Sequence, residues 1–341
     1  MSVLCAKVPD RRTAEPESMY QAAANVPVPN VAADSAKGLL QNFDTKQYNN
    51  ELKLLKKQSV GLSHQSYNID GHQWALAIDA ATQVSCYRSD LITSLPKNWD
   101  DLFQLSQNKR VIWPLKPVHA ISSFYSIYNN ITEEFEPNDK NFIKRDSGIK
   151  VLKMMKQVSQ YLPSECFDMD PIKTAEILSE HNDFYYSPYT YGFSNYSRID
   201  YRKNLLTYGN VIDLSGKGPH GTHLGGTGIA ISNKSKNKDL ALEYSYWIAG
   251  SECQQTIFYT NGGQPGNSDA WENTTINSET NNFFKNTRLT LDQAWVRPRH
   301  NGYMKFQDES GNIINEYLQS NVNEINVIDK LKLMYAESFE E

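Results

Sequence analysis

The chain has 341 residues, which is long enough for two lobes of ordinary domain size, each with its own core. Charged residues make up 21% and hydrophobic residues 39%, proportions typical of a soluble globular protein. The formal net charge of −5 is spread along the chain, without the basic patch of a nucleic-acid binder, so no nucleic acid is expected as a partner. No stretch approaches the ~20 apolar residues of a membrane span, and no secretory signal is visible.

The predicted elements begin after an N-terminal segment, residues 1–34, that looks unlike the rest. Residues 14–36 carry three prolines among small residues without an apolar period. Such a composition predicts a poorly ordered leader or a mis-started segment. From Gly38 the sequence is typical of a globular protein, and residues 74–88 predict two buried extended segments that meet at a bend.

Helical patterns then alternate with short apolar runs. Asn98 predicts the N-cap of a short helix, and Asp170 followed by Pro171 predicts the start of another. Residues 110–113 predict a short strand that ends at Pro114. The remaining predicted strands lie near 183–191, 205–208 and 226–231, and the remaining helices near 121–131, 147–158, 238–249 (capped by Asn237), 304–320 and 326–337. This alternation favours an α/β architecture.

Four segments form a pattern that runs from about Gly38 to the end of the chain. They are SVGLSHQSYNIDGHQWALAIDAATQVSCYR (59–88) with PKNWDDLFQLS (96–106), YYSPYTYGFSNYSR (185–198), HLGGTGIAISNKSKNKDLALEYSYWIAGSECQQ (223–255) with GGQPGN (262–267), and WVRPRHNGYMKFQ (295–307). Their order and spacing resemble those of family 1 extracellular solute-binding proteins, which include many sugar-binding receptors of ABC importers. Each segment alone is common, so the combination carries the resemblance.

The resemblance implies a two-lobed periplasmic-binding-protein-like fold of type II, with ligand held between lobes that are joined by hinge strands. By position, lobe I takes residues 38–113 and 232–296, and lobe II takes 118–224 and 303–341. The hinge crossings are expected near 114–117, 225–231 and 297–301. Family members begin with a signal peptide and a strand–helix–strand that this chain does not match, so we expect an N-terminally truncated chain whose first lobe is incomplete.

The same resemblance implies a receptor and not an enzyme. A small solute, with carbohydrate as the default, is captured by lobe closure, and the closed form then docks on the membrane subunits of an ABC permease. The expected location is the periplasm or the cell surface, and the expected oligomeric state is a monomer. A small organic acid remains an alternative ligand.

Candidate ligand-binding residues follow from what a sugar site requires, namely flat aromatic faces and planar polar groups. In the tyrosine-rich stretch 185–196 we expect Tyr189, Tyr191 and Asn195 near the ligand, with packing in the core as an equal alternative. Trp74 and Asp79 bracket an apolar run. A lone aspartate there is either a buried hydrogen-bond anchor or a ligand contact, because an unpaired buried carboxylate is costly.

The predicted crossings and one loop add five further candidates. Gly225 and Gly226 allow close backbone approach. The segment with Gln264 beside Pro265 resembles the loop that reaches the ligand in members of the family. Arg297 and Arg299 are placed to clamp a carboxylate or a hydroxyl pair, or to bridge the lobes, and a ligand role is expected for one of them.

A few residues also suggest other kinds of site. Adjacent Tyr185 and Tyr186 resemble the tyrosine pair of ferric-ion receptors of related fold. His220 and His223 are weak indications of a metal, and a surface loop is the favoured interpretation. The four cysteines lack metal-ligand spacing, so we predict no metal. Capture by lobe closure requires no organic cofactor, and none is predicted. Catalytic motifs are absent, although paired acids leave a carbohydrate-active hydrolase open.

Overall fold

A computed structural model describes residues 23–27 (as backbone), 31, 34–35, 37–132, 139–141 and 143–340. Its strands are β1 Ala23–Pro27, β2 Leu40–Gln41, β3 Asn68–Ile69, β4 His72–Gln73, β5 Leu76–Ala77, β6 Ala81–Tyr87, β7 Tyr186–Tyr191, β8 Thr207–Gly209, β9 Leu224–Gly225 and β10 Thr227–Ser232. Its helices are α1 Asn49–Lys57, α2 Trp99–Gln107, α3 Pro117–Thr132, α4 Arg145–Ser159, α5 Pro171–Glu180, α6 Lys238–Ala249, α7 Ser251–Cys253, α8 Ser268–Glu272, α9 Thr274–Glu279, α10 Phe283–Asp292, α11 Tyr303–Gln319 and α12 Glu324–Glu337. Short 3₁₀ turns occur at Gln65–Tyr67, Ser164–Phe167 and Ser194–Ser197, and a π-helical turn at Gln254–Phe258 continues α7. Among the described helices, none is long and apolar enough to cross a membrane.

The described residues divide into two units, each made of two stretches of chain. The first unit contains the residues up to Ala81 together with Gly225–Asn277, and the second contains Thr82–Leu224 and Ser278–Glu341. The structure therefore places residues 82–113 and 278–296 in the second unit, whereas the sequence analysis assigned them to lobe I. Two contacts account for the difference. Strand β6 pairs with β7 and β8, and α10 packs on β8, with the Tyr208 and Phe283 rings 5.1 Å apart.

Strand β10 is the centre of the first unit. It pairs antiparallel with β1 along its length and with β2 and β5 on its other edge. Because side chains alternate along a strand, Ile229 and Ile231 join one apolar cluster, with α6 residues such as Tyr246, while Ala230 joins another with Tyr67. The strand is thus buried on both faces, as its Gly-rich apolar sequence predicts.

The second unit has a small antiparallel sheet in the order β7-β6-β8 and a large helical core. Residues of α3, among them Phe124, Tyr125 and Tyr128, are fully buried against α4 and α11, and α12 packs on those two helices. Close packing reaches the backbone at Gly311 of α11, where a Cβ atom would lie 2.5 Å from the Pro117 carbonyl oxygen.

Several local predictions are confirmed and others are wrong. Asn98 and Asp170 cap α2 and α5 through side-chain bonds to Asp101 N and Lys173 N, whereas Asn237 makes no such bond to α6. The strand predicted at 110–113 is reduced to an isolated bridge between Val111 and Tyr186.

The predicted N-terminal leader lies largely outside the described residues. Where the structure describes it, the prediction is wrong. Residues 23–27 form β1, which pairs with the central strand from Ala23 opposite Ile231 to Pro27 opposite Thr227. Val31 is fully buried in the apolar cluster that contains Tyr67. The backbone hydrogen bonds to β10 supply the order that the proline-rich composition does not indicate.

Candidate functional site

In the first unit, one oxygen of the Asp79 carboxylate is buried without a hydrogen-bond partner. Asp79 follows β5, where the amides of Ile78 and Asp79 both donate to the Thr227 carbonyl oxygen, at 3.0 and 3.1 Å. The side chain is half-buried, but Oδ1 is enclosed and has no hydrogen-bond partner. Burial raises the pKa of Asp79 to about 7, against an opposing hydrogen bond from the Ala80 amide. An unpartnered carboxylate is costly to bury, which is typical of a group that awaits a ligand.

Two glycines form the walls beside Asp79. Gly226 has φ +114°, and a Cβ atom there would lie 2.5 Å from the Asp79 carbonyl oxygen. At Gly266 a Cβ atom would lie 3.0 Å from the Asp79 amide nitrogen. The predicted close backbone approach is therefore observed at Gly226, and a second one occurs at Gly266, which the sequence analysis did not single out.

We expect Gly226→Ala to lower the free energy of unfolding by about 3 kcal/mol or more, because it adds a steric clash to an unfavourable φ. The matched control is Gly71→Ala in the same unit, where φ is +82° and a Cβ atom would meet nothing within 4 Å. That change should cost only the backbone strain, about 1 kcal/mol. Urea unfolding of both variants tests the difference, and equal losses would contradict the close approach at Gly226.

The other candidate residues of the first unit differ in whether they lie beside Asp79. Gln264 donates from Nε2 to the Ala80 carbonyl oxygen at 3.1 Å, so its loop reaches the residue next to Asp79. Gly225 ends β9 directly before Gly226. Trp74 is half-buried instead beside His72 and donates from Nε1 to the Ile69 carbonyl oxygen. The structure thus brings Gln264 and Gly226 to Asp79 and its neighbour Ala80, with Gly225 adjacent in β9, and leaves Trp74 with the β3–β4 hairpin.

A second polar group forms within the second unit around His223. The Tyr191 hydroxyl donates to the His223 carbonyl oxygen at 3.1 Å. The Ser122 hydroxyl donates to the Val118 carbonyl oxygen, so its oxygen accepts from His223 Nδ1 at 2.9 Å. Burial, reinforced by the charge of Arg297, holds the pKa of His223 well below its usual range. The neutral ring therefore keeps Nε2 as an acceptor, and this buried atom has no partner.

Arg297 brings a positive charge to the same group. It donates from Nη1 to Gln307 at 2.9 Å and from Nη2 to the Leu224 carbonyl oxygen at 3.4 Å, while its buried Nε has no partner. Both acceptors are neutral. By contrast Arg88, Arg145, Arg202 and Arg288 each pair with a carboxylate. Within the described part of the second unit, Arg297 is thus a guanidinium with donor capacity to spare for a ligand.

Aromatic surfaces accompany these polar atoms. The half-buried Trp295 ring lies 5.4 Å from the His223 ring. His119, 6.1 Å from the Tyr191 ring, has a pKa lowered to about 4 by burial and Lys116, against Asp170. The Tyr303 hydroxyl is also buried without a partner. An aromatic face next to unpaired donors and acceptors has the composition of a sugar-binding surface.

Some predicted residues lie elsewhere in the second unit. Tyr189 is buried in the helical core, 5.7 Å from the Trp113 ring. Asn195 sits in the 3₁₀ turn, where its carbonyl oxygen accepts from the Arg198 amide. Arg299 is half-buried two residues beyond Arg297. The expectation that Tyr189 contacts ligand is not supported by its place in the core. The cause is a bulge in the β6–β7 pairing, which interrupts strict alternation before Tyr191.

The alternative metal sites do not assemble. Tyr186 is buried in the core whereas Tyr185 packs against Arg110, 6.0 Å from its ring, so the tyrosine pair points to different surroundings. Over the ranges that the structure describes, no group of three or more His, Cys, Asp or Glu side chains is close enough to hold a metal ion.

His223, Trp295 and His119 are not among the ligand-binding residues predicted from the sequence. The surface-loop interpretation is wrong for His223, which is fully buried. The one signal in the sequence for the burial of this segment is Gly221, two residues before His223. Gly221 has φ +82° and lies so close to α3 that a Cβ atom would be 2.5 Å from that of Asn129.

Comparison with known proteins gives the family. Residues 13–284 match the family model described as bacterial extracellular solute-binding protein. The chain belongs to this family. The match includes residues 13–34, which the sequence analysis wrongly set apart from the family pattern. No curated protein matches the sequence significantly.

Solved structures show that the solute-binding protein has the fold of sugar and polyol receptors. Maltose-bound MalE3 of T. maritima is 13% identical with a TM-score of 0.78, covering 94% of this chain and 85% of that one. A ribitol complex of an ABC transporter solute-binding protein from Agrobacterium radiobacter is 17% identical with a TM-score of 0.75, covering 93% and 84%. A relative from Thermotoga lettingae bound to α-D-tagatose is 14% identical, with a TM-score of 0.74 and coverage of 93% and 85%. The predicted two-lobed α/β fold is confirmed.

Proposed function

We propose that this solute-binding protein is the receptor of an ABC importer and that its ligand is a carbohydrate or a polyol. Family membership supports the receptor role, and the bound maltose, ribitol and tagatose of the similar structures support the ligand class. The single observation in this chain that carries the proposal is the enclosed Oδ1 of Asp79, which has no hydrogen-bond partner, at a residue whose backbone two glycines approach closely. The partner proposed with it is the membrane permease, and the chain is proposed to act as a monomer outside the cytoplasm without chemical turnover.

The unpaired atoms match what hydroxyl groups require. A sugar hydroxyl both donates and accepts, so it can satisfy Asp79 Oδ1 in the first unit, or His223 Nε2 and Arg297 Nε in the second. The ring face of Trp295 suits the apolar face of a pyranose. Capture of the solute by closure of the two units stays a prediction.

Arg297 favours a second candidate, a solute with a carboxylate. Its guanidinium bonds only neutral acceptors, and a carboxylate is the partner that guanidinium groups bind bidentately. A sugar acid combines this group with hydroxyls for the remaining atoms.

Isothermal titration calorimetry with maltose, tagatose, ribitol, mannitol and glucuronate tests both candidates. Saturable heat with a neutral sugar or polyol, without product in the recovered solute, is the expected result. Binding of glucuronate alone would favour the acid receptor. Turnover of any sugar, or silence from the folded protein towards the whole panel and further carbohydrates, would contradict the proposal.

A further inference from the structure

A buried glutamine on the π-helical turn, Gln254, contacts the glycine that packs against the Asp79 backbone. Gln254 is fully buried and uses both ends of its amide. Oε1 accepts from the Gly266 amide at 2.7 Å, and Nε2 donates to the Ile248 carbonyl oxygen at 2.8 Å. The side chain thus ties the end of α6 to the glycine that stands against Asp79. Such π-helical turns are rare in proteins, and those that occur are often found at functional sites.

The loop at 263–267 is held against Asp79 from this side. The Gly266 amide is shared between Gln254 and the Ile78 carbonyl oxygen, at 2.7 and 3.1 Å. Trp271 donates from Nε1 to the Pro265 carbonyl oxygen at 2.7 Å. Gly263 lies so close to Phe258 of the π-helical turn that a Cβ atom would be 2.5 Å from its ring. The position of Gly266 therefore depends on the turn that carries Gln254.

We infer that Gln254 is a positioning residue for solute binding, which holds Gly266 against the Asp79 backbone and so keeps the Asp79 carboxylate enclosed. The inference rests on the proposed function only in assigning Asp79 to the solute. Gln254 itself touches neither Asp79 nor, in this proposal, the ligand.

The protonation of Asp79 reports on this enclosure directly. The residues with contacts to the Asp79 backbone or to the adjacent Ala80 are Ile78, Gly226, Thr227, Gln264 and Gly266. None of these side chains titrates, and burial is the main cause of the raised pKa of Asp79. If the loop moves away, water reaches the carboxylate and its pKa falls towards the ordinary value.

The experiment is an NMR titration of the Asp79 Cγ resonance in the solute-free protein, assigned with Asp79→Asn. In Gln254→Met we expect the pKa to fall from about 7 by about one pH unit or more. The matched control is Gln255→Met, on the same turn. Gln255 also makes two side-chain bonds, to Ser251 and Asn273, but none to the loop, so the pKa should stay unchanged.

A second variant keeps the test decisive if Gln254→Met does not fold. Gly266→Ala leaves Gln254 intact but places a Cβ atom 3.0 Å from the Asp79 amide nitrogen, so the loop must shift and the pKa should fall similarly. An unchanged Asp79 pKa in a folded Gln254→Met, or in Gly266→Ala when the first variant does not fold, would overturn the inference. Because this measurement needs no solute, its failure is separate from failure of the proposed function. Calorimetry with whichever solute of the panel (maltose, tagatose, ribitol, mannitol or glucuronate) binds the parent protein should then show about tenfold weaker binding in Gln254→Met. The affinity of Gln255→Met should equal that of the parent.

Discussion

Asp79→Asn is expected to stabilise the protein at pH 8 while weakening solute binding. The carboxyl has a pKa near 7 in the folded protein and an ordinary value of 3.8. The folded state therefore binds more protons than the unfolded state between these values, so stability falls as the pH rises from about 4 to 7 and then levels off. The variant escapes this loss. Its free energy of unfolding should exceed that of the parent by about 2–4 kcal/mol at pH 8 and differ little at pH 4.

Chemical denaturation across this pH range, paired with calorimetry, measures both effects. Solute affinity at pH 8 should fall by about 10- to 100-fold, because a neutral amide replaces a charged acceptor. The control is Asp70→Asn, an exposed residue of the same unit with φ 53°, where asparagine is equally tolerated. It removes the same charge and should change neither quantity. A variant less stable than the parent at pH 8 would contradict an unpaired Asp79.

Arg297→Met is expected to give the largest loss of binding from the second unit. It removes a guanidinium whose bonds go only to Gln307 and to the Leu224 carbonyl oxygen, and whose Nε awaits a partner. A hydrogen bond to a charged group contributes about 1.5–3 kcal/mol, so affinity should fall by about 10- to 100-fold. Stability should change little or rise, since an uncompensated charge leaves a half-buried site.

The control for Arg297 is Arg288→Met, which breaks a partly exposed pair with Asp292 on α10. It should leave the affinity unchanged and cost about 0.5 kcal/mol at most. Calorimetry with mannitol and glucuronate also separates the two ligand classes, because loss of a carboxylate partner would weaken glucuronate more. Full affinity in the folded Arg297 variant would remove this residue from the site.

Local patterns in the sequence predicted those features that depend on neighbouring residues. The helices α3, α11 and α12 follow from apolar residues at helical spacing, and the caps at Asn98 and Asp170 from side chains that reach their own backbone. Division of the chain into units depends on pairing between distant strands, as between Gln83 and Tyr191. No short-range pattern contains that information.

The candidate site shows the same limit. Asp79 and Gly226 are predictable because a lone carboxylate in an apolar run and paired glycines have few structural uses. The place of Tyr189 is not predictable, because a bulge in its own strand interrupts the alternation of side chains. The burial of His223 depends on Ser122, which lies on a helix far from it in sequence. The role of Gln254 has no signal in the sequence, because its contact depends on where the chain places Gly266.

The central place of β10 has a consequence for the order of folding during synthesis. Strands β1, β2 and β5 leave the ribosome early, yet the strand that joins all three begins only at Thr227. Loop closure over such a separation is slow, and until it happens these strands keep unpaired edges. The second unit is likewise open until α10, α11 and α12 have been made. Neither unit can therefore fold to completion as an early, independent domain, and the edges of β1, β2 and β5 stay without their partner strand until late in translation.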